Sequence, residues 1–214
     1  MDHLASEQEQ VDQLKRWWKD NGRSLVFGLV IGIGGLAGYR YWDTNQTQLA
    51  ENASINYDMF LQMAQDQRVD DARKTGKSIV ENYPNTTYAR LSTLLLAKLA
   101  QDSGDHDEAA ALLRSLLTDN KDSQIQHIAS ARLARLVLAE GNPAEAASLL
   151  AAIPDSNETQ RFIELRGDVA LANGDETAAR EFYLAALEQA TELGLERGAI
   201  QLKVDNLAAK DSSS

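Results

Sequence analysis

Cysteine is absent from the 214 residues of this chain, and histidine occurs only three times. Without cysteine the chain can form no disulfide and offers no attachment point for a lipoprotein anchor. None of His3, His106 and His127 has a second histidine or a cysteine at ligand spacing, so no zinc site is indicated. No G-x-S-x-G elbow, Walker loop or G-x-G-x-x-G fingerprint follows a predicted strand. The sequence therefore predicts no metal, no cofactor and no catalytic residue.

Proline and strand-like alternation are also scarce. Proline occurs only at positions 84, 143 and 154, and alanine and leucine dominate from residue 44 to about residue 210. Such stretches, without a period of two in hydrophobicity, are typical of helices. The sequence therefore predicts an all-α protein.

Positive charge is sparse in the second part of the chain. Residues 43–214 hold 16 basic and 27 acidic side chains, so the whole net charge of −11 belongs to them. An acidic surface repels phosphate backbones and anionic lipid, which argues against nucleic acid as a partner. The acidic residues around His106 are interpreted as stabilising a helix N-terminus. The pairs Glu164 with Asp168 and Arg132 with Arg135 are interpreted as solvated helix faces.

One long uncharged stretch is present, SLVFGLVIGIGGLAGY, from Ser24 to Tyr39. At the helical rise it spans about 24 Å, and Arg23, Arg40 and Trp42 can extend it to both membrane interfaces. A buried core helix is the alternative, but it would hold five glycines in its interior at about 1 kcal/mol each. We predict a single transmembrane helix over residues 24–42.

The distribution of basic residues predicts how this span is oriented. Lys15, Arg16, Lys19 and Arg23 precede it, whereas the first basic residue after Arg40 is Arg68. The positive-inside rule then predicts a cytoplasmic tail over 1–23 and an exported domain over 43–210, with a disordered tail over 211–214. A cleaved signal peptide is the alternative, but no Ala-x-Ala-like site precedes Tyr39. We expect an uncleaved signal anchor in the cell inner membrane.

Glycines line one side of the predicted span. Gly28, Gly32 and Gly35 share a helical face, and Gly38 forms a second small-xxx-small pair with Gly34. Small residues allow a second membrane helix to approach closely. The pattern predicts packing against a membrane partner or self-association, unless the glycines reflect only their general frequency in membrane helices.

The exported part contains a repeat. The segments GDHDEAAALLRSLL, GNPAEAASLLAAI and GDETAAREFYLAAL align without gaps on Gly104, Gly141 and Gly174. An alanine follows each of these glycines by five residues, and a small residue precedes it by seven; these residues are Ala109, Ala146, Ala179 and Ala97, Ala134, Gly167. A weaker copy contains Ala72 and Pro84.

This repeat resembles the tetratricopeptide repeat, whose turn glycine and helix-crossing alanines occupy the same places. The resemblance implies helix pairs that stack into an α-solenoid, which buries a core that no single pair could bury. Ile200, Val204 and Leu207 predict a capping helix from Leu195 to Ala209. An ordinary helical bundle with chance similarity is the alternative.

Three segments in order carry a further resemblance. They are VDQLKRWWKDNGRSLVFGLVIGIGGLAGYRYW, the helix around Tyr57, and IQLKVDNLAA. Together they resemble the YfgM-type ancillary subunits of the bacterial Sec translocon. This resemblance implies an inner-membrane protein whose periplasmic repeat domain assists exported proteins, bound to the Sec translocon and to a membrane-anchored periplasmic chaperone. An envelope-assembly or signalling scaffold with other partners remains an alternative, and an enzyme is disfavoured.

Overall fold

The computed structural model describes residues 3–118, 122–154 and 159–211, so residues 212–214 of the predicted tail lie outside it. Within these ranges the regular elements are nine α-helices and no strands. Their bounds are α1 His3–Gln65, α2 Val69–Asn82, α3 Thr87–Asp102, α4 His106–Thr118, α5 Ser123–Ala139, α6 Pro143–Ala151, α7 Gln160–Ala172, α8 Glu176–Glu192 and α9 Gly198–Asp211. The all-α prediction is confirmed.

Helix α1 contains the whole predicted span. It is 63 residues long. Among the helices of the described residues, α1 is the one that is long and apolar enough to cross a membrane. The large apolar side chains of the span are exposed, for example Phe27 at 69% and Ile31 at 72%. The chain divides into two units between Asn52 and Ala53, so the final part of α1 belongs to the repeat domain.

The repeat domain consists of helix pairs. The end of α1 packs with α2, and the following pairs are α3 with α4, α5 with α6, and α7 with α8, after which α9 packs on α8. The first helices of successive pairs also contact each other, as α3 does with α5 and α5 with α7. Each pair is thereby covered by its neighbours, as solenoid packing requires.

The same turn joins the two helices of three pairs. Gly104, Gly141 and Gly174 adopt φ of +80°, +83° and +84°, a left-handed conformation in which a Cβ is strained. The amide that follows each glycine donates to a carbonyl five residues earlier, as from Asp105 to Ala100 at 2.9 Å. This is the Schellman pattern that ends a helix, and it explains why glycine recurs at this place in the sequence.

The same turn occurs twice where the repeat alignment has no matching glycine. Gln67 adopts a φ of 60° between α1 and α2, and the Arg68 amide donates to the Met63 carbonyl at 2.9 Å. Gly194, with a φ of 66°, ends α8 in the same way. The first pair therefore closes with glutamine in place of glycine, which is why its copy is faint in the sequence.

The core continues from pair to pair. The core of the first pair contains Phe60 and Ile79, against which Leu96 of α3 packs. Leu113 and Leu133 lie in the core of the middle pairs, and Tyr183 lies in the core of the last pair. Helix α9 closes this core with Ile200 at 1% and Leu207 at 5% exposure. It begins at Gly198, later than the predicted Leu195, because the turn at Gly194 leaves Leu195 exposed outside the helix.

Candidate functional site

The small residues singled out in the repeat are buried in the core. Ala109, Ala134, Ala146 and Ala179 have no exposed surface, and Ala97 retains 2%. At Gly167 a Cβ would lie 2.4 Å from the Tyr183 ring, so α7 and α8 could not approach this closely with any side chain there. These residues determine how the helices pack, and being buried they are not accessible to a partner.

A comparable close approach exists in the first pair. A Cβ on Gly76 would meet the Phe60 ring at 2.7 Å and a Leu96 methyl at 2.9 Å. Gly76 follows Ala72 by four residues, the offset at which Tyr183 follows Ala179, but the repeat has a large residue there, so the alignment gave no reason to expect a glycine. A glycine inside an otherwise helical stretch was the signal that could have identified it.

The glycines of the span lie on an open surface. A Cβ at Gly28, Gly32, Gly35 or Gly38 would meet no atom within 4 Å. Trp17, Trp18 and Trp42, which flank the span, are between 48% and 58% exposed. A flat, small-residue face with aromatic residues beyond both ends suits contact with lipid and with another membrane helix.

A second surface is formed by the first helices of the pairs, which are the end of α1, α3, α5 and α7. We call this surface the A-helix face. At one end the rings of Tyr57 and Tyr88 lie 5.8 Å apart and are only partly buried. Burial raises the pKa of Tyr57, and the charge of Arg132 opposes this rise. Aromatic side chains that keep a polar tip in water are frequent at protein interfaces.

Arginines occupy the middle of the A-helix face. Arg132 donates from Nη1 to the Leu94 carbonyl at 3.0 Å, and Arg135 donates from Nη2 to the Arg161 carbonyl at 3.2 Å. These bonds join α5 to α3 and to α7. A cleft of about 300 Å³ lies between α5 and α7, lined by these arginines and by Ile128, Ile153 and Phe162 among others. Arg135 is exposed, as the interpretation of a solvated helix face expects, and Arg132 is partly buried, but both also bond to a neighbouring helix.

At the α7 end of the A-helix face, Lys203 of the capping helix α9 contacts α7. Its Nζ lies 2.7 Å from a Glu164 carboxylate oxygen and 2.6 Å from Asp168 Oδ1, and the Tyr183 hydroxyl donates to the same Asp168 oxygen at 2.8 Å. Burial alone would lower the pKa of Lys203, but these two carboxylates raise it. Glu164 and Asp168 therefore fix the capping helix to α7, which the solvated-face interpretation did not anticipate.

The acidic turn before α4 also has a packing role. Glu108 pairs with Lys77 at 2.9 Å and with Arg73 at 3.4 Å, so it joins α4 to α2. Asp105 Oδ1 accepts from the Glu108 amide at 3.1 Å and caps the helix. Across the described residues no three histidine or acidic side chains gather closely enough to hold a metal ion.

Comparison with known proteins identifies the family. A family model described as a tetratricopeptide repeat-like domain matches residues 15–209. The ancillary SecYEG translocon subunit of Haemophilus influenzae is 31% identical over 210 residues, which cover 97% of this chain and 100% of the relative. The chain belongs to this family. The subunits of the same name from Escherichia coli and Neisseria gonorrhoeae are 29% and 26% identical over at least 96% of the chain.

Solved structures agree with the family on the fold. Pseudomonas aeruginosa PilF superposes with a TM-score of 0.62 at 18% identity, covering 78% of this chain and 72% of that one. MamA of Desulfovibrio magneticus gives a TM-score of 0.57 at 14% identity, covering 77% and 94% of the two chains. Both the predicted tetratricopeptide-like solenoid and the resemblance to translocon subunits are confirmed.

Proposed function

We propose that this protein is a single-pass inner-membrane subunit that associates with the SecYEG translocon and assists exported proteins as they emerge. The observation that carries the proposal is the full-length match to an ancillary SecYEG translocon subunit. The match covers 97% of this chain, so it includes the apolar helix as well as the repeats. A scaffold with two separate binding surfaces fits this role better than an enzyme does.

The orientation of the chain follows from its charges. Four basic residues lie in the first 23 positions, and none lies between Arg40 and Arg68. We infer that the N-terminus stays in the cytoplasm and that the repeat domain lies in the periplasm. The domain would then stand on the side of the membrane where translocating chains appear.

Gly28, Gly32 and Gly35 supply the contact with the translocon in this proposal. Helices associate in lipid through close packing, since lipid tails are as apolar as the helices themselves. Their face is open, and a partner helix could contact the backbone directly. Self-association through the same glycines would compete with this contact.

The A-helix face supplies the contact with a periplasmic partner. Solenoid repeats bind partners on the extended surface that their stacked helices form. This face carries partly exposed tyrosines, arginines and apolar side chains, a combination that is enriched at interfaces. We propose that its partner is a membrane-anchored periplasmic chaperone, held nearby because both proteins share one membrane.

Co-purification from membranes solubilised in mild detergent tests the translocon contact. Leu at Gly28 and Gly32 together fills the small face, so the recovery of SecYEG should fall severalfold. Ala37 lies about 180° around the helix from Gly28, so Ala37→Leu is the matched control and should retain wild-type recovery. Wild-type recovery with the double variant would refute docking through this face, and the absence of SecYEG from the wild-type sample would refute the proposed function.

A further inference from the structure

Helix α1 carries a shallow groove where the predicted span begins. The groove has a volume of about 450 Å³. Lys19 and Arg23 line the part that precedes the span, and Val26, Phe27 and Val30 line the part within it. The lining therefore changes from basic to apolar at the level where the chain enters the hydrocarbon, which is also the level where a phospholipid changes from headgroup to acyl chain.

The indole ring of Trp18 forms one wall of this groove. It lies against Gly22, where a Cβ would be 3.2 Å from the ring atom Cε2 and 3.3 Å from Nε1. Because the ring covers it, Gly22 is buried, although its neighbours Asn21 and Arg23 are exposed. Tryptophan at a membrane interface places its ring at the level of the headgroups and its N–H against a polar partner. Gly22 thereby allows the indole to lie beside the basic side chains.

Lys19 and Arg23 have no acidic partner in the part of the chain that the structure describes. They are four residues apart, so their Cβ atoms lie about 5–6 Å from each other on one side of the helix. Like charges at this spacing destabilise a helix, and an anion between them relieves the repulsion. Lys15, one turn earlier, differs because its Nζ lies 3.7 Å from an Asp12 carboxylate oxygen. The uncompensated charge is therefore at the groove.

The apolar half of the groove has dimensions that suit an acyl chain. From Arg23 to Val30 the helix rises about 10 Å, and the hydrocarbon of one leaflet is about 15 Å thick. Phe27 and Val30 are 69% and 62% exposed, so their apolar surface is open to a ligand. A small anion held by charge alone would leave this half uncovered, whereas a phospholipid covers both halves.

The groove and the glycine face of the span lie on opposite sides of α1. At 3.6 residues per turn, Lys19, Val26 and Val30 lie about 160–200° around the helix from Gly28. The glycine side is open to close approach by a second helix. A helix docked against the glycines leaves the groove facing the lipid.

We propose that this groove binds one phospholipid with an anionic headgroup, of the phosphatidylglycerol type. Lys19 and Arg23 hold the phosphate, the Trp18 ring lies beside the glycerol backbone, and an acyl chain follows Val26 and Val30. Phosphatidylethanolamine fits less well, because its ammonium group is repelled by the two basic side chains. The inference rests on the proposed function in one respect, namely that residues 24–42 span the inner membrane.

Quenching of tryptophan fluorescence by brominated lipids tests the proposal in a bilayer. Trp17→Phe together with Trp42→Phe leaves Trp18 as the one tryptophan of the full-length protein. The protein is reconstituted into vesicles of phosphatidylethanolamine and phosphatidylglycerol, with one lipid or the other brominated on its acyl chains. Phosphatidylglycerol should associate with the Trp18 site at least about fivefold more strongly than phosphatidylethanolamine, which corresponds to about 1 kcal/mol.

A second reporter provides the matched control. Trp18→Phe together with Trp42→Phe leaves Trp17, which lies within about 20° of Gly28 around the helix. Trp17 is next to Trp18 in the chain and is exposed to the same basic tail, but it lies on the glycine side. The two brominated lipids should therefore quench Trp17 almost equally.

Charge variants of the Trp18 reporter separate a defined site from general attraction. Lys19→Gln and Arg23→Gln should each remove most of the preference for phosphatidylglycerol, because each removes one of the two groups that hold the phosphate. Lys15→Gln makes the same change of charge one turn earlier, where Asp12 already pairs with the lysine, and should keep most of the preference. A general field of the basic tail would respond equally to all three substitutions.

Four results would overturn the proposal. Equal association of the two lipids at Trp18 would do so, as would an equal preference at Trp17, or a loss in Lys15→Gln as large as in Lys19→Gln and Arg23→Gln. A preference that disappears when purified SecYEG is included in the vesicles would assign this side of α1 to the translocon. If neither brominated lipid quenched either tryptophan, the membrane span itself would be refuted, so failure of the proposed function and failure of the lipid site alone give different results.

Discussion

Single small residues determine how closely the helices of each pair approach. Gly167 has no room for a Cβ, because the Tyr183 ring would lie 2.4 Å from it. The ring cannot easily move away, since its hydroxyl is bonded to Asp168 at 2.8 Å. In the two middle pairs the matching residues are Ala97 with Leu113 and Ala134 with Leu150, all buried, whereas in the first pair Gly76 lies against the Phe60 ring.

Gly167→Ala should therefore destabilise the protein even though alanine is the better helix former. Overpacking a tight core costs about 1–3 kcal/mol, and the gain in helix propensity offsets about 1 kcal/mol of that. Urea unfolding of the full chain in detergent measures the net loss. Gly198→Ala, at an open position in α9, is the control and should be neutral. Equal stability of both variants would mean that the crossing of α7 and α8 is looser than described.

At this scale the sequence predicts the residues that recur and misses those that do not. Gly104, Gly141 and Gly174 share one offset, and the structure shows them in the same left-handed turn. Gln67 takes that conformation without glycine, because its neighbours' hydrogen bonds enforce the turn. Because glutamine rarely adopts positive φ, its presence in a sequence does not indicate such a turn.

Among the elements, α9 shows how a capping helix is fixed. Its apolar side covers the end of the core, and Lys203 ties it to Glu164 and Asp168 on α7. Periodicity predicts the apolar side from Ile200, Val204 and Leu207. It cannot predict the ion pairs, because Lys203 and its partners are 35 or more residues apart in sequence. For the same reason the arginine-lined cleft was not predicted, since α5 and α7 bring its residues together only in the stacked fold.

The cluster around Lys203 should make stability sensitive to alkaline pH. The carboxylates raise the pKa of Lys203 above its ordinary 10.5, and burial and Asp168 raise that of Tyr183 above 10.0. A group whose pKa is raised by folding stabilises the folded state at pH values below its pKa in the unfolded chain. This stabilisation is lost as the pH rises through its pKa in the folded state. The free energy of unfolding should therefore decline above about pH 10.

Two substitutions isolate this decline. Lys203→Met and Tyr183→Phe should each flatten it, and Lys203→Met should cost about 1 kcal/mol at neutral pH because the pairs are partly exposed. Urea titrations from neutral to strongly alkaline pH provide the measurement. Lys74→Met, on the exposed side of α2, is the control. If the free energy of unfolding declined as steeply in Lys203→Met and in Tyr183→Phe as in the wild type, the role given to the cluster would be contradicted.

At the scale of the whole molecule, we propose that the membrane helix and the repeat domain bind different partners. The apolar stretch within α1 and the acidic solenoid differ so strongly in composition that the sequence alone separates them. The boundary between the two parts is harder to predict from the sequence. The repeat domain begins at Ala53, whereas the acidic part of the chain begins at Asp43, because helix α1 continues through polar residues between them.

The proposed orientation predicts the activity of reporters. Alkaline phosphatase fused after Ser214, which is active only outside the cytoplasm, should be active, and the mature protein should retain its N-terminus. Moving the positive charge tests the cause. Replacing Lys15, Arg16 and Lys19 by Gln should reduce the activity of the fusion by weakening the charge bias. A reporter active only on the cytoplasmic side would reverse the topology.

The most direct test of translocon association is photo-crosslinking in intact cells. A photoactivatable amino acid at Gly32 places the probe on the small face, and one at Ala37 places it on the opposite side of the same helix. Adducts with a SecYEG subunit should be severalfold more abundant from position 32 than from position 37. If neither position, nor any other in residues 24–42, yields a SecYEG adduct at normal expression levels, the central claim is contradicted.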